Sequence, residues 1–425
     1  MKRMLIIYPH WPPSNLVGVH RVRLIANELY QLGWNATVLT IDERDYEEPP
    51  AHDTLRLVDP RVQVVKVRAR PVRHWFGRRG FGDIGIRGFS ALKNRADNIL
   101  KEEKTKGSPI DFIWFSLPSW YPALMGKSLS KKHAVPFGID YQDPWVRTLG
   151  RQEVGWNRAT FTSLIARALE PLALRNVALI SGINEAYVEG VKKRYHRLDR
   201  IPFVYAQLGF SHQDHHIELK DFSIPFSLGK RTFVYAGAHW SMGAPLFKIW
   251  LKAIAKLHKE DMIPEDVEFL FIGTGNPALP GIQEQADDLE IGNIVREIPN
   301  RLSYLQVQQI LRHSHGALII GSTQSHYSAS KVFQCLLTAP RVFGFFHEQS
   351  EAASILREVN ATRFFAPYSP NKSAPETQTL VEQKVLRFLD SNEPWEPNLE
   401  AMEPYSAKSS AESLIEGINC ISPPH

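Results

Sequence analysis

Two serines stand just before a lysine and an apolar run in Ser328-Ala329-Ser330-Lys331-Val332-Phe333-Gln334-Cys335-Leu336-Leu337. A cation beside the free amides of a helix N-terminus grips a pyrophosphate from one side. A capped helix with an exposed lysine is the simpler reading. Asp140 and Asp143, three apart in Gly138-Ile139-Asp140-Tyr141-Gln142-Asp143-Pro144-Trp145, place two carboxylates where a strand ends. Sites on parallel sheets form at such ends, although Asp143 before Pro144 also suits a turn or a cap. The loop ending in Gly18 precedes a helix, so its amides and the helix N-terminus can meet a diphosphate, whereas a Pro-Pro turn with one Gly is common without a ligand. Phe271-Ile272-Gly273-Thr274-Gly275-Asn276 is half of a dinucleotide fingerprint, with Pro277 and Ala278 where its last Gly belongs. A strand ending in a glycine turn explains it equally well.

Other chemistries lack their residues. His212, His215 and His216 form a cluster without a fixed ligand geometry or a Cys partner, so it reads as a polar linker rather than a metal site. Cys335 and Cys420 make neither a disulfide framework nor a metal cage, as expected in a reducing compartment. No Gly-x-Ser-x-Gly elbow, His-Glu-x-x-His helix or Walker loop is found. The apolar run Met4 to Tyr8 stops at Pro9, short of a secretion signal or a membrane span. These features predict a cytoplasmic protein.

The elements that must position the candidate groups alternate in type. Met4 to Tyr8 predicts a strand, and the helical spacing of Val22, Ile25, Ala26, Leu29 and Leu32 a helix stopped by Gly33. Ala36 to Ile41 predicts a second buried strand, completing a βαβ unit. Further strands are predicted at 62–67, 112–117, 137–141 and 178–183, with helices at 89–103, 123–132 and 158–174. The rhythm breaks from Leu208 to Lys230 and then resumes. Strands follow at 232–238, 268–273, 294–298, 317–321 and 342–346, and helices at 245–258, 303–313, 329–338 and 350–359.

With 425 residues, the chain is long enough for two or three domains. The pattern predicts an α/β protein of two doubly wound, Rossmann-like domains facing one another across a cleft, the default active site. The expected divisions are 1–205, a linker at 206–230, a second domain at 231–370, and a helical tail at 371–425 that crosses back to the first. Helical segments are predicted in that tail at 377–389 and 411–418.

The net charge of +5 is unevenly placed. Lys66 to Lys106 holds twelve Lys and Arg against four Asp and Glu, a net +8, which leaves −3 for the remainder. Aromatic residues interleave the basic ones from Arg73 through Trp75, Arg78 and Arg79. That mixture suits an anionic membrane surface or acceptor, while an ordinary solvated loop is the competing reading. No recognisable motif argues for nucleic acid.

In sum the motifs resemble those of the retaining glycosyltransferases of family four, which have the GT-B fold. The likeness begins with strand, Pro-Pro loop, Gly18, Arg21 and Gly33-Trp34-Asn35-Ala36-Thr37-Val38-Leu39-Thr40. Asp140 to Trp145 is similar to the family's Asp-x-Arg-Asp-Pro-Trp, Leu208-Gly209-Phe210 to its Asn-Gly-Phe, and Tyr235-Ala236-Gly237 to its Tyr-x-Gly strand. Gly273 and Gly275 match its Gly-x-Gly turn, and Ser330-Lys331-Val332-Phe333 its Ser-Lys-Leu-Phe donor motif.

The resemblance implies transfer, with retention, from a nucleotide sugar held by the C-terminal domain to a saccharide or lipid-linked acceptor on the N-terminal domain. It implies cell-surface glycan synthesis and no divalent metal or other cofactor. Lys331 would neutralise the departing diphosphate, and Ser330 and the Gly18 loop amides would hydrogen-bond it. Gly237, Gly273 and Gly275 would lie on the donor side. Asp143 and His326 would be catalytic, and Arg21 and Asp140 would face the acceptor, with Arg73, Trp75, Arg78 and Arg79 toward acceptor or membrane.

Three positions depart from the family pattern. Its paired glutamates fall on His326 and Gln334, of which Gln334 still offers amide hydrogen bonds to a ribose. The basic residue expected after Tyr-x-Gly is replaced by Ala238-His239-Trp240, leaving His239, when protonated, or a displaced Arg231 for the role. These departures support a rival: a GT-B nucleotide-binding module that has lost turnover and acts through a partner protein.

Overall fold

A computed structural model describes the chain apart from residues 73, 76, 77, 80, 81, 147–157, 208, 326–330, 391 and 422–425, and the side chains of 74, 75, 78, 79, 158 and 159. It forms two compact units, Met1–Ser211 with Tyr405–His425, and His212–Pro404.

The first unit runs β1 (Lys2–Ile7), α1 (Val17–Glu28), β2 (Trp34–Ile41), β3 (Gln63–Val67), the two-residue antiparallel pair β4 (His74–Trp75) and β5 (Arg78–Arg79), α2 (Ile84–Arg87) and α3 (Phe89–Thr105). It continues through β6 (Phe112–Ser116), α4 (Gly126–His133), β7 (Phe137–Tyr141), α5 (Arg158–Ala173), β8 (Leu179–Gly182), α6 (Glu185–Arg194) and β9 (Phe203–Tyr205). Seven strands make one parallel sheet in the order β3-β2-β1-β6-β7-β8-β9. All five residues of both β6 and β7 are buried, which is why they read as unbroken apolar runs rather than an alternation.

The second unit contains β10 (Arg231–Ala236), α7 (Ala244–Lys259), β11 (Val267–Ile272), α8 (Ile282–Asp288), β12 (Val295–Ile298) and α9 (Tyr304–His313). After these come β13 (Gly316–Ile320), α10 (Lys331–Thr338), β14 (Val342–His347), α11 (Glu351–Glu358), β15 (Phe365–Tyr368) and α12 (Ala374–Leu389). Its parallel sheet is ordered β12-β11-β10-β13-β14-β15. The apolar face of α7 buries Leu246, Phe247, Trp250, Leu251, Ile254 and Leu257, each worth roughly 1.5–3 kcal/mol against exposure. Trp250 meets Phe269 edge-on at 5.0 Å, fixing that helix on the sheet.

In both sheets successive strands extend one way and then the other from a single pair, β1 and β6 in the first and β10 and β13 in the second. Ligand crevices of open α/β sheets form at the carboxyl ends of such a pair, because the flanking connections diverge there.

The boundary between the units falls after Ser211, inside the segment expected as a linker, and parts of that segment are buried. Ala206 donates its amide to the Gly182 carbonyl at 3.0 Å and stays with the first sheet. From His212 the chain lies on the second unit, where His215 is buried with Nδ1 2.7 Å from Thr338 Oγ1, and Thr338 donates to Gln308 at 2.7 Å. Burial pushes the His215 imidazole down to about 4. A neutral histidine hydrogen-bonded through one ring nitrogen can be buried, which a run of polar residues does not announce.

The expected crossing tail also divides. α12 packs on α7 and β15 of the second unit. The last helix, α13 (Ala407–Asn419), lies on α1, β8 and β9 of the first. Ser406 caps it by accepting from the Ser409 amide at 3.2 Å, and Ala411, Leu414 and Ile418 enter the apolar layer beneath the first sheet. Gly417 is required by that packing, since a Cβ there would lie 2.3 Å from Val204. No helix among the described residues is long and apolar enough to cross a membrane.

Candidate functional site

At the end of β10 the backbone turns through Gly237 at φ +154°. A Cβ at this position would lie 1.7 Å from Lys331 Nζ, so the amine occupies the place of a side chain. Lys331, the first residue of α10, donates to the Tyr235 hydroxyl at 3.0 Å, with Nζ 4.5 Å from that ring's centroid. The same hydroxyl donates to the Ala238 carbonyl at 3.0 Å. Strand, turn and helix start are therefore joined through one phenol, which burial keeps protonated. Gln334 lies three residues along the same helical face and is half-buried, while Val332, Phe333, Cys335 and Leu336 fill the core. Burial raises the Cys335 thiol to about 12, so it acts as an apolar group.

His239 follows the Gly237 turn and is 3% exposed. Its Nε2 is buried without a hydrogen-bond partner among the described residues. The ring packs on Phe247 at 4.8 Å, and its backbone carbonyl accepts from Asn276 Nδ2 at 2.9 Å. Burial lowers the His239 pKa, with Glu297 opposing. At neutral pH the ring is uncharged and offers a hydrogen bond rather than the expected positive charge. An unsatisfied buried polar atom costs about 1–3 kcal/mol, and a ligand atom reaching Nε2 would relieve that cost.

Gly273 and Gly275 have local explanations. Gly273 turns at φ +75° and Gly275 lies against the Pro299 carbonyl, while Thr274 donates to Glu297. What the loop visibly does is carry Asn276 to the His239 carbonyl. Arg231 is not displaced toward this turn. It begins β10, at the opposite end of the strand and roughly 20 Å from Gly237 at the usual strand rise, and holds Asp266 at 2.6 and 3.0 Å.

At the corresponding reversal in the first unit, Gly18 sits in the first turn of α1, where a Cβ would be 2.4 Å from the Tyr8 hydroxyl oxygen. Gln142 Nε2 donates to the Gly18 carbonyl at 3.1 Å and to Ser116 Oγ at 2.8 Å. Asp143 is half-buried, and its charge adds to the burial that raises the Tyr8 pKa.

Arg21 and Asp140, expected to face an acceptor, are instead sealed inside. Both side chains are 0% exposed, with Arg21 Nη2 3.1 Å from Asp140 Oδ1. Ser181 and Ser116 donate to Asp140 at 2.7 and 3.0 Å, and Arg21 also donates to the Gln207 carbonyl. A buried pair satisfied this fully ties α1 to the strand ends and has no atom left for a substrate.

No protein-family profile matches the chain, and no curated protein sequence does. Solved structures do. Anabaena HepE in complex with UDP aligns with TM-score 0.56 and 14% identity, over 99% of this chain and 100% of that one. Sucrose-phosphate synthase from Thermosynechococcus elongatus aligns with TM-score 0.54 and 12% identity, over 99% and 95%. An E. coli trehalose-6-phosphate structure bound with UDP-2-fluoro glucose aligns with TM-score 0.59 and 10% identity, over 100% of both. The fold is GT-B.

Within this GT-B chain the sequence-selected residues separate. Gly237, His239 and Lys331 meet at the β10 end, with Gln334 on the adjoining helical face and Gly273 and Gly275 in the loop below. His326, Ser330 and Arg73 lie outside the described residues, as do the side chains of Trp75, Arg78 and Arg79. Tyr235, which holds Lys331, entered the sequence reading only as a motif letter. The cue was available, since a Tyr that ends a buried strand needs a partner for its hydroxyl.

Proposed function

We propose that this GT-B chain transfers a sugar, with retention, from a nucleoside-diphosphate sugar to a saccharide or lipid-linked acceptor in cell-surface glycan synthesis. The observation that carries the reading is the Lys331 amine seated on Gly237 at the strand-order reversal of the second sheet, with the buried His239 Nε2 beside the same turn. A diphosphate there takes a charged hydrogen bond from Lys331 and a neutral one from His239. Gln334 faces the ribose hydroxyls. As the bond from the anomeric carbon to the phosphate oxygen breaks, the electron pair stays on the diphosphate, where Lys331 opposes the growing charge. The acceptor oxygen forms the new bond, and its proton passes to the departing phosphate. By the family resemblance His326 would approach the sugar and Ser330 would hydrogen-bond the phosphate. Asp143 serves the acceptor in the first unit. With the charge neutralised by side chains, turnover persists in a chelator. The UDP and UDP-2-fluoro glucose bound in structures of the same fold lend support to the donor class.

The basic stretch from Arg73 to Arg95 would place the enzyme at the cytoplasmic face of an anionic membrane. Salt should release the protein from anionic vesicles; binding that ignores salt, or no binding, would remove the membrane from the proposal.

The deciding experiment is a nucleotide and nucleotide-sugar panel, by thermal shift and calorimetry, on wild type and Lys331→Ala. Stabilisation by one sugar nucleotide that disappears in the variant supports transfer and names the donor. The anomeric configuration of the product, read by NMR, tests retention. If no nucleotide stabilises the wild type, the transfer reading falls.

A further inference from the structure

Beyond the β1 end, the chain carries a second cluster of reactive groups that the donor reading does not use. His10 Nδ1 lies 3.1 Å from Glu48 Oε1, and Ser14 Oγ donates to the same carboxylate oxygen. Tyr46 fixes the loop, accepting from the Trp11 amide at 2.9 Å and donating to the Ile41 carbonyl at 3.0 Å. The imidazole is flanked by the Tyr46 ring at 5.0 Å and the Tyr8 ring at 6.2 Å. Its side chain is 14% exposed and that of Glu48 is 20% exposed, so the pair borders solvent rather than the core.

An ionised Glu48 fixes which nitrogen of His10 faces it with a proton. Burial alone would raise the Glu48 pKa, but the hydrogen bonds from His10 and Ser14 outweigh it and bring the carboxyl down to about 2. An ionised carboxylate accepts, so His10 Nδ1 carries the proton that it donates. In the neutral ring the lone pair is then on Nε2, which makes no hydrogen bond among the described residues and is not among the fully enclosed unpaired atoms. A carboxylate-oriented imidazole with an accessible acceptor nitrogen is suited to a hydroxyl donor. A second carboxylate lies near the ring: Asp83, which caps α2 by accepting from the Ile86 amide at 2.9 Å, is within electrostatic range of both His10 and Tyr121. Arg87 is also felt at Asp83, but less than His10, and its guanidinium is engaged by the Gly82, Arg70 and Asp45 carbonyls.

We propose that His10 and Glu48 form a binding subsite for a hydroxyl of a neutral saccharide. Nε2 accepts the hydroxyl proton as a hydrogen bond, Glu48 holds the ring in the required tautomer, and the two carboxylates disfavour an acidic sugar or a phosphate. The subsite deepens the transfer reading, on which its role as an acceptor site rests, and narrows the acceptor group at this place to an uncharged sugar.

The test is saturation-transfer NMR on the full chain with methyl glucoside, galactoside, mannoside and N-acetylglucosaminide, and with glucuronate as the charged counterpart. At least one neutral glycoside should receive saturation, and glucuronate should not. His10→Ala should weaken that glycoside about tenfold, the scale of one lost hydrogen bond. His10→Gln, whose amide oxygen can replace Nε2, should retain part of the affinity, and Glu48→Gln should lose part of it. Unchanged thermal midpoints verify that each variant is folded. The proposal is overturned if no neutral glycoside binds, if glucuronate binds equally well, or if His10→Ala leaves binding intact. The nucleotide panel runs separately: saccharide binding at His10 without nucleotide binding would sink transfer while leaving the subsite standing, and the reverse would sink the subsite alone.

Discussion

The two sheets reverse strand order in the same manner, yet they treat charge at the reversal differently. In the first unit Arg21 and Asp140 are enclosed and answered by Ser116, Ser181 and the Gln207 carbonyl. In the second, Lys331 rests on a phenol and a glycine, and His239 keeps a buried ring nitrogen unanswered among the described residues. Charged residues near a strand end therefore do not by themselves mark a site. What distinguishes the two reversals is the buried His239 Nε2, which has no partner among the described residues and would gain one from a ligand.

The comparison is most sharply tested in the first unit. Arg21→Ala or Asp140→Ala leaves one buried charge without its partner and should cost about 3–5 kcal/mol in denaturant unfolding. A well-folded variant that loses only turnover would return the pair to the substrate. Next in size is an acid effect in the second unit. With its pKa lowered to about 4, His215 contributes stability above about pH 6.5 that drains away as pH falls toward 4, because the unfolded chain takes up the proton first. Over that interval the loss is about 3 kcal/mol, and His215→Gln should flatten the profile.

At the proposed donor site, Lys331→Ala should weaken nucleoside-diphosphate binding by about 1.5–3 kcal/mol in calorimetry. Gly237→Ala should reproduce that loss with Lys331 still present, since the added methyl claims the place of the amine; full binding by the glycine variant would show that the packing is incidental. The smallest effect belongs to His239→Gln. A neutral amide replacing a neutral imidazole should change affinity by about 0.5–1.5 kcal/mol, without a histidine titration between pH 7 and 8.5. A loss as large as that of Lys331→Ala would mean that the ring binds as a cation.

Most of this architecture could be read in the sequence because buried parallel strands are continuous apolar runs punctuated by helical spacing. The strands that escaped were β4 and β5, of two residues each, β9, of three, and β15, whose four residues include Pro367. The helices α2 and α8, of four and seven residues, are too short for helical spacing to register. The donor-side grouping was accessible through the motif around Lys331; Tyr235 offered a buried hydroxyl in need of a partner, but nothing in the sequence pairs it with a lysine 96 positions away. Arg21 and Asp140, 119 positions apart, each looked like a candidate ligand group until the fold paired them. His10 and Glu48 were missed because no motif announces a pairing made by two loops that leave adjacent strands.

The last helix carries a consequence for how the molecule is made. Every part of the second unit is synthesised before α13, whereas the first unit still lacks the helix that covers Leu179 and Val204 beneath its sheet. During translation the later unit can complete its packing while the earlier one waits with an apolar face open, a span in which contacts roughly four hundred residues apart must still be found. Premature termination between the two would thus release a finished C-terminal half attached to an unfinished N-terminal one, and chaperone dependence or proteolysis should concentrate on the half that was born first.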